Sequence, residues 1–266
     1  MNLQNLFNEL EQVDGDFIGR MEHVSRRGLF SALTKKTVAV AAPTILASAL
    51  NKAYGQGMML PDNVVDVLNF ALTLEYLEYR FYDIGNNLTM IPSQYKPAFE
   101  LIRRHEELHV KLLKSVLGPK AISEPKFDFT AKGMFPDVFS NFQTFAAVSQ
   151  AFEDTGVRAY KGQAPNLMNA KPILETALQI HSTEATHAAR IRFLRGQKGW
   201  IPLASPSGLP PAVGAMVYKG EDNVTQKNIN LAGILNGLVP LEGITEAYDE
   251  PLTKEEVLEI VKPFLT

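Results

Sequence analysis

Glu106-Glu107-Leu108-His109 and Glu184-Ala185-Thr186-His187 decide how this sequence folds. Each sets a carboxylate and an imidazole at i and i+3 inside a long segment whose apolar residues recur with the helical period. Side chains at that spacing leave a helix on one face, so two metal-ligand types stand where a core-facing stripe should be purely apolar. Around residues 93–117 the stripe reads Ile102, Glu106, His109 and Leu113; around 166–195 it reads Leu174, Ala177, Ile180, Glu184, His187, Ile191 and Leu194. Two more segments carry one interrupting carboxylate each. Residues 61–84 give Leu68, Leu72, Glu75, Tyr79 and Tyr82, and residues 137–160 give Phe142, Ala146, Ser149, Glu153 and Tyr160. Glu75 precedes Glu106 by 31 residues and Glu153 precedes Glu184 by 31, so the halves read as two equivalent helical hairpins.

An ionised carboxylate buried without a partner costs several kcal/mol or more, so four in one core require positive charge among them. Two divalent cations supply it, with two neutral imidazoles completing the shell. One Glu from each of two helices plus Glu-x-x-His from each of the other two is a two-metal carboxylate arrangement. The expected ligands are Glu75, Glu106, His109, Glu153, Glu184 and His187. Carboxylate and imidazole suit iron and manganese alike, and the sequence does not choose between them. One Glu-x-x-His arises often by chance on a charged helix; two, each matched by a Glu on a neighbouring stripe, do not. The competing reading turns these glutamates outward from helix edges.

Around that core the chain reads as an all-α four-helix bundle. Helix breaks fall at Gly85-Asn86-Asn87, Gly118-Pro119, Gly162 with Pro165, and Gly196. Lys120 to Pro136 shows no helical period and forms a long crossover between the second and third helices. Three domains are expected: an N-terminal segment 1–55, the bundle 56–199, and a loop-rich extension 200–266 packed on the bundle. The extension holds Pro202, Pro206, Pro210 and Pro211, with helical stretches near Ile229 to Leu238 and Lys254 to Phe264.

Ser25-Arg26-Arg27-Gly28-Leu29-Phe30 precedes a mildly apolar run, Thr37 to Leu50, that falls short of the roughly 20 residues of a membrane span. It matches a twin-arginine signal in part, with cleavage near Ala47-Ser48-Ala49 or Ala53-Tyr54-Gly55. An exported, periplasmic or cell-surface protein is expected, with the twin-arginine machinery as a partner and an uncleaved N-terminal anchor as the variant. A net charge of -3 without a basic tract past the first 40 residues speaks against nucleic acid. With no cysteine, thiolate zinc, iron–sulfur and cysteine-nucleophile chemistry are excluded.

His105 and His181 stand close enough to the ligands to serve as outer hydrogen-bond partners of a ligand carboxylate, or else as satisfied boundary histidines. Glu78 and Glu107 fall off the central stripes and are expected at the surface. Tyr79, Tyr82 and Tyr160 share the ligand faces, where packing alone accounts for them.

Leu74-Glu75-Tyr76-Leu77-Glu78-Tyr79 with Phe81-Tyr82, Ala151-Phe152-Glu153-Asp154 with Ala159-Tyr160, and Glu246-Ala247-Tyr248-Asp249-Glu250-Pro251-Leu252-Thr253 carry a resemblance. Over roughly residues 60–266 the chain resembles the ferritin-like family that includes the desiccation-related proteins. The resemblance implies a ferritin-like fold and kinship with ferritins, rubrerythrins and manganese catalases. It also implies roles for the six ligands: Glu106 and Glu184 bridge two metals, Glu75 and Glu153 are terminal, and His109 and His187 bind one metal each. It implies no settled reaction. Redox chemistry on O2 or H2O2, by a di-iron oxidase or a di-manganese catalase-like oxidoreductase, is the leading expectation. The alternative is a non-catalytic metal-binding or desiccation- and stress-protective protein, and a homo-oligomer is compatible with either.

Overall fold

The computed structural model describes residues 60–266. The twin-arginine segment, its apolar run and both cleavage candidates lie outside the described residues.

Four long helices form the bundle: α1 (Asp62–Asn86), α2 (Lys96–Leu117), α3 (Phe142–Gln163) and α4 (Lys171–Leu194). Each begins with chemistry that suits a helix N-terminus. Asp62 complements the dipole of α1, Pro97 and Pro172 occupy first-turn positions of α2 and α4, and Asn141 caps α3 by accepting from Gln143 N at 3.0 Å. α1 pairs with α2 and α3 with α4, and the two hairpins meet through α1 against α3.

Some boundaries differ from the sequence reading, each for a local reason. α1 runs through Gly85 to Asn86, because Gly85 is an interior contact: a Cβ there would stand 2.4 Å from the Phe145 ring. Asn86 then closes the turn by donating to the carbonyls of Tyr82 at 2.9 Å and Phe99 at 3.1 Å. α3 starts at Phe142, not near Asp137, whose carboxylate is occupied by Asn141 and Thr144 at 2.8 and 3.2 Å. Residues 164–167 form a 3-10 turn, and α4 starts only at Lys171.

The start of the crossover from α2 to α3 is held by side chains of α1, among them Tyr76, whose hydroxyl donates to the Ile122 carbonyl at 3.4 Å, and Arg80, 2.8 Å from Glu124. Asn69 on α1 donates to the Lys120 carbonyl at 3.0 Å and accepts from Ile122 N at 2.9 Å, so its amide reads the loop as a strand neighbour would.

The extension contains short helices α5 (Pro211–Val217), α6 (Leu231–Leu235), α7 (Leu241–Thr245) and α8 (Lys254–Val261), with a 3-10 turn at Lys262–Phe264. It also holds a two-stranded hairpin, β1 (Thr225–Gln226) against β2 (Ile229–Asn230), turned by Lys227 and Asn228 at positive φ. The helical stretch expected from Ile229 is therefore shorter. Ile229 and Asn230 belong to the strand, and Asn236 in the left-handed region ends α6.

α5 and α8 cover the outer face of α3, and for that reason every residue from 145 to 160 is buried. Phe264 stands edge-on to Phe152, 4.9 Å between ring centroids. Polar groups on the covered face are paired across the seam. Arg158 donates to the carbonyls of Val217, Lys219 and Glu250 and lies 2.8 Å from Glu221. Asp154 takes Arg192 through both oxygens and accepts from Tyr218 OH at 2.8 Å. No helix among the described residues is long and apolar enough to cross a membrane.

Candidate metal centre

The six expected ligands converge at mid-height of the bundle, contributed by all four long helices. Glu75, Glu106, Glu153 and Glu184 are fully shielded from solvent, and His187 is 3% exposed. The ring of His109 has its Nδ1 3.1 Å from Glu75 Oε2, 3.0 Å from Glu106 Oε2 and 3.1 Å from Glu184 Oε1. The ring of His187 has its Nδ1 2.8 Å from Glu106 Oε1, 3.2 Å from Glu153 Oε2 and 3.7 Å from Glu184 Oε2. Two four-residue constellations result: Glu75, Glu106, His109 and Glu184, and Glu106, Glu153, Glu184 and His187. Glu106 and Glu184 belong to both, each turning one oxygen to either side.

Hydrogen bonding does not account for this packing. A neutral imidazole nitrogen carries at most one hydrogen, yet three carboxylate oxygens surround each Nδ1. Glu106 Oε1, Glu153 Oε2, both oxygens of Glu184 and His187 Nδ1 have no hydrogen-bond partner despite their short separations. Orphaned, fully buried donors aimed at common points are what a pair of cations needs, and the all-oxygen-and-imidazole set fits iron or manganese.

The outer oxygens are, by contrast, well held. Tyr82 OH on α1 donates to Glu153 Oε1 at 2.5 Å, and Tyr160 OH on α3 donates to Glu75 Oε1. The pairing is crossed, since the tyrosine of each half orients the glutamate of the other. Burial, with the adjacent carboxylate, pushes both phenols well above their usual range.

Electrostatics divides the carboxylates. Burial raises Glu75 to about 8 and Glu153 well above the carboxylate range, against the pull of His109 and His187 respectively. Burial also opposes ionisation of Glu106 and Glu184, but the two imidazoles packed against them outweigh it and hold both carboxyls below the ordinary value. Burial alone would lower the two imidazoles; the surrounding carboxylates reverse this and hold both well above the usual histidine value. The central pair is thus the most readily charged part of the cluster.

The model of the ferritin-like domain matches residues 63–197, just over half of the chain. The chain belongs to the ferritin-like domain family. A search of the curated proteins finds no match.

Within this ferritin-like bundle the outer residues sort differently from the sequence expectation. His105 faces an imidazole of the cluster instead of a carboxylate: its Nδ1 is 2.9 Å from His187 Nε2, with the rings stacked at 5.1 Å. His181 does not reach the centre, because its Nδ1 meets the Val157 carbonyl at 3.0 Å. Glu107 is a surface charge bridging Arg103 and Lys111. Glu78 is not, and the expectation of a surface position is corrected: it is 3% exposed. The wheel of α1 alone failed to show this. α1 is covered by neighbours well beyond one stripe, including by α3, so a carboxylate off the ligand line is still inside.

Proposed function

We propose that this chain is an exported ferritin-like protein that holds two divalent ions, iron or manganese, and uses the pair for redox chemistry on O2 or H2O2. The observation that carries the reading is the turn of the two central carboxylates, which direct Glu106 Oε2 and Glu184 Oε1 toward His109, and Glu106 Oε1 and Glu184 Oε2 toward His187. In this reading Glu106 and Glu184, which belong to both constellations, would help to hold either ion. Glu75 with His109, and Glu153 with His187, complete one position each.

Bound there, a pair of redox-active ions supplies two electrons to a small oxidant. The chain's own residues prepare the place. Tyr160 holds Glu75 by Oε1 and leaves Oε2 for the centre, and Tyr82 does the same for Glu153. Full burial of the four carboxylates keeps bulk water out and strengthens every charge interaction within. Export of a folded, loaded protein suits a centre filled where metal supply is controlled, and the Arg26-Arg27 signal supports that route.

The test is to count metals per chain in the protein as isolated, then follow peroxide and O2 consumption. Two ions, lost in Glu106→Ala with Glu184→Ala, and turnover above that of free metal are expected. Two ions without turnover would leave the non-catalytic, protective function; no ions in a folded chain that refuses added metal would end the metal-centre reading.

A further inference from the structure

The six clustered side chains are not equally shut away. Those of Glu75, Glu106, Glu153 and Glu184 are 0% exposed and that of His187 is 4% exposed, whereas that of His109 is 11% exposed. Each imidazole gives its Nδ1 to the carboxylates, so the difference lies on the far side of the ring. His187 Nε2 is stopped by His105, whose ring stacks on it. His109 Nε2 meets no hydrogen-bond partner among the described residues and is not a buried atom, which leaves it open to solvent.

One position of the repeat that carries Glu75 onto Glu153 and Glu106 onto Glu184 accounts for this. His105 precedes Glu106 by one residue, and the residue that precedes Glu184 is Thr183. α2 and α4 run antiparallel, since His105 meets His187 and, one turn further along α2, His109 meets Glu184. A step of one turn from each member of the His105–His187 pair reaches His109 and Thr183. Thr183 therefore holds toward His109 the place that His105 holds toward His187. It is too short to close that place, and its hydroxyl turns back to the Gln179 carbonyl of its own helix at 3.1 Å. The wall is also weakest here: α2 and α4 are the least closely packed of the four neighbouring helix pairs, while α5 and α8 lie on α3.

We propose that the seam between α2 and α4 beside Thr183 is the entrance to the centre, so that a small solute such as O2 or H2O2 reaches the position of Glu75, Glu106, His109 and Glu184, while His105 closes the position of Glu106, Glu153, Glu184 and His187 against the same approach. This rests on the two-ion reading above. The opening is the difference in bulk between a threonine and a histidine in an otherwise packed wall, so it passes solutes of two to four atoms, roughly the size of a water-filled gap, and holds larger ones outside. Thr183 sets the bore by its size and not by its hydroxyl, which is already engaged.

The experiment loads the full chain with Co2+ under exclusion of air and adds azide, a three-atom probe, following its binding and release by stopped-flow visible absorption. Thr183→Leu is expected to slow association and dissociation alike, by roughly tenfold or more, and to leave the equilibrium affinities for cobalt and azide unchanged, because a narrowed entrance alters passage and not the bound state. Thr183→Val, which keeps the size and removes the hydroxyl, is expected to keep the wild-type rates. Unchanged rates in Thr183→Leu overturn the proposal, as does an equal slowing in Thr183→Val. A change of affinity in place of the rates also overturns it, since that is the mark of a merely structural role. Should Thr183→Leu fail to fold, Thr183→Ala decides: it widens the entrance and is expected to speed both rates together, and unchanged rates overturn the proposal. Cobalt-loaded wild type with no azide spectrum overturns the entrance alone, whereas wild type that binds no cobalt overturns the two-ion reading itself, a result obtained before any variant is made.

Discussion

A ligand imidazole is only as well placed as the group on its other nitrogen. His187 turns Nδ1 to the carboxylates and Nε2 to His105, so His105 fixes both its tautomer and its ring plane. The equivalent position in the other half is Thr183, which bonds the Gln179 carbonyl of its own helix, so His109 has no matching support. His105→Ala is therefore expected to weaken one of two bound ions by about 10- to 100-fold and leave the other unchanged, as read by calorimetric titration. His181→Ala is the contrast: it removes a contact to the Val157 carbonyl and should leave both ion affinities as they are. A single step of equal loss in the two variants would show that neither histidine acts through His187. Tyr82 and Tyr160 belong to the same class of support, and the sequence already set them on the ligand faces. The crossed pairing was not visible there, because it depends on which helices are neighbours.

At the scale of single elements, the extension is attached at points where backbone meets backbone. Gly162 near the end of α3 lies against the Leu252 carbonyl, and a Cβ there would stand 1.9 Å from that oxygen. Gly162→Ala is expected to cost about 3 kcal/mol in urea unfolding, because main chain and not a mobile side chain must give way. Thr253 begins α8 with a reciprocal capping box, its hydroxyl accepting from Glu256 N while the Glu256 carboxylate accepts from Thr253 N. Thr253→Ala should cost about 1 kcal/mol by the same measurement, and equal losses in the two variants would refute the distinction. These elements also show where sequence reading stops. The four long helices and the clustering of six carboxylate and imidazole side chains were legible because a 3.6-residue stripe repeats over many turns and each of the six interrupts it. Gly162 read as a helix breaker, but it is glycine for the approach of a segment some 90 residues away in sequence. α5 lay hidden among prolines, and the Lys227-Asn228 turn has no glycine to announce it. Glu78 was misplaced for the related reason that burial is decided by helices other than its own.

For the molecule as a whole, the buried centre ties folding to pH and to metal in a direction that can be worked out. Glu75 keeps its proton up to about 8 in the folded chain, and Glu78 and Glu153 are likewise raised. In the unfolded chain each loses its proton near 4.5. Between those values the metal-free folded state binds more protons, so its stability falls as pH rises from about 4.5 through 8. His109 and His187 act in the same sense, since imidazoles raised above 6.5 contribute stability at low pH that is lost as pH climbs through their folded values. Glu106 and Glu184 oppose this only below 4.5, where protonating their depressed carboxylates costs stability. Divalent ions replace the retained protons, so binding should release protons and tighten as pH rises. Metal-stripped protein is therefore expected to lose stability steadily from pH 5 to 8 in urea titrations, while the loaded protein holds or gains over the same range. The two curves should separate most at the alkaline end. Parallel curves would mean that the carboxylates of the centre do not hold protons in the absence of metal, and that the cluster does not couple ion binding to folding.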